Sequence, residues 1–110
     1  MANGTLGQSL LTAATYTTVY TVPASAFATV NVAFCSTNIL QDATIRLAVA
    51  AAATPVGGEF IEYEAYLPAA PQPGVLERTG IVLSPGKRIV AYCGVSGMNV
   101  NVHGFEQSLS

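Results

Sequence analysis

The sequence predicts an all-β fold: a single antiparallel β-sandwich, jelly-roll-like, with about seven or eight short strands and an extended N-terminal arm. Three observations predict it. Apolar and polar residues alternate with period two in successive short segments. Turn-forming residues separate these segments at intervals of roughly 8–12 residues. No stretch of about ten residues carries the apolar stripe of an amphipathic helix.

Residues 1–12 have no strong period and are expected to form the arm, with Leu6, Leu10 and Leu11 as its apolar contacts. The first strand, Tyr16–Val22, is dense in aromatic and β-branched residues and stops at Pro23. Phe27–Cys35 alternates, with Val30, Val32 and Phe34 on one face and Thr29, Asn31 and Ala33 on the other. Thr44–Val49 turns Ile45, Leu47 and Val49 inward. Phe60–Leu67 is expected to point Ile61, Tyr63, Ala65 and Leu67 one way and Glu62, Glu64 and Tyr66 the other.

A Pro-rich loop from Pro68 to Gly74 follows. Val75–Leu83 is extended but interrupted at Gly80, where a bulge or bend is expected. Ser84-Pro-Gly-Lys87 has Pro and Gly in the order of a type II turn. Arg88–Val95, a tight connection at Ser96-Gly97, and Met98–Phe105 complete the sandwich. The expected organisation is thus an arm (1–12), one domain (13–106) and a short polar tail (107–110).

Composition narrows the function. The first charged side chain is Asp42, and charged residues make up 9% of the 110-residue chain against about 25% in ordinary soluble domains. Charge normally keeps the large surface of a small domain solvated and monomeric. Its scarcity points to a surface covered by other subunits, hence to a building block of an assembly. A net charge of -2 and only four basic residues, Arg46, Arg78, Lys87 and Arg88, exclude an electrostatic footprint for nucleic acid. No segment approaches the roughly 20 apolar residues of a membrane span, and the N-terminus lacks the positive region of a secretory signal. Synthesis in the cytoplasm is the expectation.

No catalytic constellation is legible. His103 is the one histidine, Asp42 the one aspartate, and no nucleophile elbow or phosphate-binding glycine loop occurs. His103 alternates with Val100 and Val102 and is expected on a polar sheet face with Asn99 and Asn101. Neither a cofactor nor a metal site is expected: two cysteines without CxxC spacing do not make a zinc site. Cys35 and Cys93 are read as free buried thiols or as a disulfide within or between subunits. Glu62, Glu64, Arg78 and Arg88 are read as ion-pair partners of neighbouring subunits, beside Leu6, Leu10 and Leu11 as interface residues. Five tyrosines (16, 20, 63, 66 and 92) leave open a carbohydrate-binding sandwich on a fibre.

The segment Gly74-Val-Leu-Glu-Arg-Thr-Gly-Ile-Val-Leu83, then Pro85-Gly86, then Asn101-Val-His-Gly-Phe-Glu106, resembles small virion proteins of tailed bacteriophages. The first half fits the same layout. It has Thr18-Val-Tyr-Thr-Val-Pro-Ala24, the turn Cys35-Ser-Thr-Asn38, Ala43-Thr-Ile-Arg-Leu-Ala48 and Glu59-Phe-Ile-Glu-Tyr63. The resemblance covers nearly the whole chain after the arm. It implies a β-sandwich present in many copies on the virion, as head decoration (cement) or as a neck, tail or baseplate component. The expected partners are further copies of the chain, in a trimer, and the major capsid protein or other virion proteins.

Overall fold

The computed structural model describes residues 3–37, 41–68 and 75–108. Eight strands follow in chain order: β1 (Asn3–Leu11), β2 (Thr17–Thr21), β3 (Ala26–Ser36), β4 (Ala43–Ala50), β5 (Phe60–Leu67), β6 (Val75–Leu83), β7 (Arg88–Cys93) and β8 (Met98–Ser108). They form two four-stranded sheets, β1-β8-β3-β6 (sheet A) and β2-β7-β4-β5 (sheet B), antiparallel throughout. All sequence neighbours except β4 and β5 lie in opposite sheets, the double Greek key of a jelly roll.

The alternation read from the sequence builds the core. Val30, Val32 and Phe34 of β3 and Val100 and Val102 of β8 face Ile45 and Leu47 of β4 and Ile89 and Ala91 of β7, all fully buried. Removing such aliphatic surface from water is the main stabilising term, at roughly 25 cal/mol per Å².

The turn chemistry matches the expectation. Lys87 N–H donates to the Ser84 carbonyl at 3.1 Å, and Gly86 supplies the positive φ of +80°. At the expected break in β6, Thr79 and Gly80 together oppose Asn31, with Gly80 at φ +68°. Gly80 N–H, turned out of the ladder, donates to Asn31 Oδ1 at 3.0 Å.

Three expectations are corrected. Residues 3–11 are extended, but they are not a free arm: they form edge strand β1, paired along its length with β8. Glycine and polar residues mask the alternation of this segment, whose burial is strongest at Leu11, 2% exposed. The polar tail begins later than expected, because Gln107 and Ser108 still pair with Phe27 and Ala26; residues 109 and 110 lie outside the described residues, as does most of the Pro-rich loop (69–74). In β5, Ile61 and Tyr63 face outward, 41% and 59% exposed, while only Ala65 and Leu67 keep their inward places.

The reversal in β5 has a definite cause. Ile45 pairs with Ala65 but Leu47 pairs with Glu62, so Tyr63 and Glu64 together oppose Arg46. One extra residue in β5 is accommodated by Glu64 at φ +57°, and a bulge of this kind reverses the facing only as far as a second shift at Ile61, which returns Phe60 to the outer face beside Tyr63.

Bulges are distributed by position. Each of the four outer pairings, β1–β8, β2–β7, β3–β6 and β4–β5, contains a register shift, and each extra residue lies on the edge strand. The two central pairings, β3–β8 and β4–β7, run without interruption.

Candidate interaction surfaces

The outer faces of the two sheets differ in chemistry. On sheet B, Arg46 of β4 stands at the centre of an aromatic group. Its guanidinium carbon lies 4.5 Å from the Tyr63 ring centroid and 4.4 Å from that of Tyr92. Tyr16 packs on Tyr92 at 4.9 Å between centroids, and Phe60 meets Tyr63 edge-on at 5.0 Å. Arg46 Nη1 donates to Tyr16 Oη at 2.8 Å, and Nε donates to Glu64 Oε1 at 2.9 Å. Hydrogen bonds from Thr44 and then Arg46 hold the Glu64 carboxyl below its usual range. Tyr66, farther along β5, donates to Asp42 Oδ2 at 2.7 Å, which pushes its phenol up.

Most of the expected interface charges are therefore used inside the chain. Glu62 and Glu64 were expected on one face, but the bulge separates them. Glu64 pairs with Arg46 on the outer face. Glu62 turns to the sandwich edge and pairs with Arg78 of β6 in the opposite sheet. Both ion pairs form within the chain: Arg46 and Glu64 sit on neighbouring strands of sheet B, and Glu62 and Arg78 reach across between the edge strands of the two sheets. Arg88 sits half-buried on the outer face of sheet B, with Nη1 directed at Thr18 Oγ1.

Glu59 accepts from Val56 N–H at 2.9 Å and Ala51 N–H at 3.2 Å, which depresses its pKa and organises the loop before β5. Glu106 accepts from the Tyr20 hydroxyl at 2.5 Å inside the sandwich. Among the described residues no three His, Cys, Asp or Glu side chains converge on a point that could hold a metal ion.

The expected apolar contacts divide. Leu11 is in the core, Leu6 packs partly against it, and Leu10 stands 64% exposed on the outer face of sheet A. The cysteines are both free: Cys93 is buried, with its thiol pKa raised by that burial, and Cys35 is exposed. They cannot meet within the chain, since Cys93 points into the core and Cys35 points out from sheet A.

The outer face of sheet A is nearly free of charge. β8 contributes Asn99, Asn101, His103 and Phe105, and β3 contributes Thr29, Asn31, Ala33 and Cys35, as their alternation predicts. β1 adds Gln8 and Leu10 at one edge; β6 adds Val75, Glu77 and Val82 at the other. Of the ten charged residues only Glu77 lies on this face, because Arg78 and Glu106 turn inward and the others belong to sheet B and its loops. Half of the exposed large hydrophobics of the described residues stand here, at its ends: Leu10, Val75, Val82 and Phe105. A shallow depression of about 320 Å³ runs between β1 and β8 beside Leu10, Gln8, Asn99 and Asn101.

Comparison with protein-family models, with curated proteins and with solved structures finds no match. The surfaces themselves carry the functional argument.

Proposed function

We propose that this chain is a non-enzymatic structural protein of a tailed-phage virion, a head decoration (cement) protein that self-associates and bridges neighbouring capsid subunits. The observation that carries the reading is the outer face of sheet A. It is a four-stranded surface with one charged side chain, a centre of Thr, Asn, Ala and His103, and exposed apolar residues at its ends. Solvent-facing sheets normally carry Lys and Glu at such positions, and a continuous uncharged face is suited to burial against protein. The jelly roll is an architecture shared by capsid and lectin domains, in keeping with this role.

Decoration acts by bridging. Each subunit adds buried area across a junction that internal pressure pulls apart, and attachment at several points multiplies modest single contacts through effective concentration. The test is immunogold electron microscopy of intact phage with antibody against this chain. Gold spread over the heads is expected. Gold confined to the neck, tail or baseplate would keep the structural role and transfer the partner to the tail machinery. Particles without label would sink the virion reading.

The aromatic group on sheet B supports a second reading, carbohydrate binding by a fibre module. Tyr63 and Tyr66 are exposed beside Arg46 and Asp42, which offers ring faces next to hydrogen-bonding groups. Binding on a glycan array that is lost in Tyr63→Ala would favour it; a blank array with folded protein would remove it.

A further inference from the structure

Resting on the structural reading above, we propose that the outer face of sheet A is occupied by the same face of a second copy. The two copies are related by a two-fold axis that runs along the strands between β8 and β3.

The edges of the molecule argue for association through a face. An extra residue on each edge strand interrupts every outer ladder, whereas both central ladders are regular. Bulged edges are poor templates for adding strands from another chain, so continuous sheets across subunits are disfavoured, and the outer face of sheet A, with Glu77 as its one charge, is the surface suited to association.

That face is complementary to itself. The axis exchanges β8 with β3 and β1 with β6 while keeping each row of the sheet, and the rows are fixed by the register. In the first row Leu10 lies over the second copy's Val75, so the exposed valine meets the depression beside Leu10 and Asn99. In the next, Glu77 lies over Gln8, whose Nε2 donates one N–H to Asn101 Oδ1 of its own chain at 2.7 Å and has a second for the carboxylate, and the two Glu77 carboxylates stay on opposite edges. Near the centre His103 lies over Asn31. No row sets like charges together. This isologous arrangement makes the elementary unit a dimer rather than the expected trimer.

The area is adequate when the whole face is used. Four strands about 4.8 Å apart and some ten residues long at about 3.3 Å each give roughly 600 Å² in projection. Side-chain relief brings the accessible area toward the roughly 800 Å² per partner of a standard interface.

The experiment uses the full chain. Sedimentation equilibrium across a dilution series is combined with N-ethylmaleimide alkylation of Cys35, read by mass spectrometry. Cys35 lies in the first row of the face, between Asn99 and Val75, and buried Cys93 serves as the unreactive reference. A dimer is expected in which Cys35 is protected and becomes reactive on dilution. Thr29→Arg and Phe105→Arg, in a row two removed from Glu77 and without an outward-facing acid, set an unpaired charge in the interface and should weaken the dimer roughly a hundredfold or more. A monomer at every concentration, with Cys35 fully reactive, overturns the proposal while leaving the virion reading to the gold label. An oligomer whose Cys35 stays reactive and whose mass ignores both arginines also overturns it, since another surface then holds the copies together. Should either variant misfold by circular dichroism, protection of Cys35 in the unaltered chain decides alone.

Discussion

Gly7 of β1 lies so close to the Val19 carbonyl of β2 that a Cβ on the glycine would stand 2.2 Å from the oxygen. Two bulges meet at this point. Leu6 is the extra residue of β1 and Val19 that of β2, and the paired distortions bring the edges of the two sheets together backbone to backbone. One side of the sandwich is thus closed by the absence of a side chain.

Gly7→Ala should therefore be strongly destabilising, by about 2 kcal/mol or more, because a backbone oxygen cannot turn aside as a flexible side chain can. Gly104→Ala should behave alike, since its Cβ would stand 2.0 Å from the Thr29 carbonyl. Gly57 has open space around it, so Gly57→Ala should change stability by less than about 0.5 kcal/mol. Urea unfolding of the three variants checks this ordering, and a mild Gly7→Ala would mean that β1 does not dock as described.

The opposite side of the sandwich is closed by charge. Arg78 and Glu62 join β6 to β5 across the two sheets, with side chains 40% and 21% exposed. Solvent screens a pair this accessible, so a double-mutant cycle with Arg78→Ala and Glu62→Ala should give a coupling of only about 0.5 kcal/mol, smaller still in high salt. The coupling should persist in protein diluted to monomer. A coupling present only in the oligomer would show that the residues pair between subunits instead.

Arg46 makes a different kind of contact. Its planar guanidinium stacks between Tyr63 and Tyr92 while its nitrogens reach Glu64 and Tyr16. A lysine ammonium can neither stack as a plane nor serve both acceptors with a fixed fork. Arg46→Lys should thus lower stability by about 1 kcal/mol, nearly as much as Arg46→Ala. Thermal unfolding followed by near-ultraviolet circular dichroism reports both the loss and the loosened tyrosines. Full retention of stability in the lysine variant would show that charge alone matters there.

These cases divide what the sequence discloses from what it does not. The faces of β3 and β8 are written in alternation, and so is the uncharged surface formed by Asn31, Ala33, Asn99 and Asn101, while β4 alternates only as far as Leu47. The turn at Ser84–Lys87 and the bulge at Gly80 are written in residues whose backbone preferences are strong. Nothing in Tyr63-Glu64 announces a bulge, because Glu64 has no local preference for positive φ. Only the register demanded by Arg46 and its neighbours imposes it, which is why the separation of Glu62 from Glu64 was illegible. β1 escaped for a related reason: its pairing with β8 joins residues nearly a hundred positions apart, and its own alternation is blurred by Gly4 and Gly7. Deleting residues 2–12 should accordingly damage the core, by removing Leu11 and uncovering β8, and not merely weaken docking.

Tyr20 offers a test in which the sign of a pH effect is fixed by the fold. Burial first, and then the hydrogen bond to Glu106, push its phenol well above the ordinary value of 10.0. A group whose folded pKa is raised contributes stability fully below its unfolded pKa, and that contribution is lost as pH rises from the unfolded value toward the folded one. The native chain should accordingly weaken from about pH 10 upward, as the unfolded state gives up a proton that the folded state retains. Tyr20→Phe keeps the ring but removes the hydroxyl. It should be less stable by about 1 kcal/mol at pH 8, where the bond to Glu106 is intact. Between pH 10 and 11.5 the gap should narrow, because the phenylalanine variant has nothing at this position to titrate. Urea midpoints of both proteins across that range make the comparison, and a gap that stays constant would mean that the Tyr20 proton is not held by the folded state.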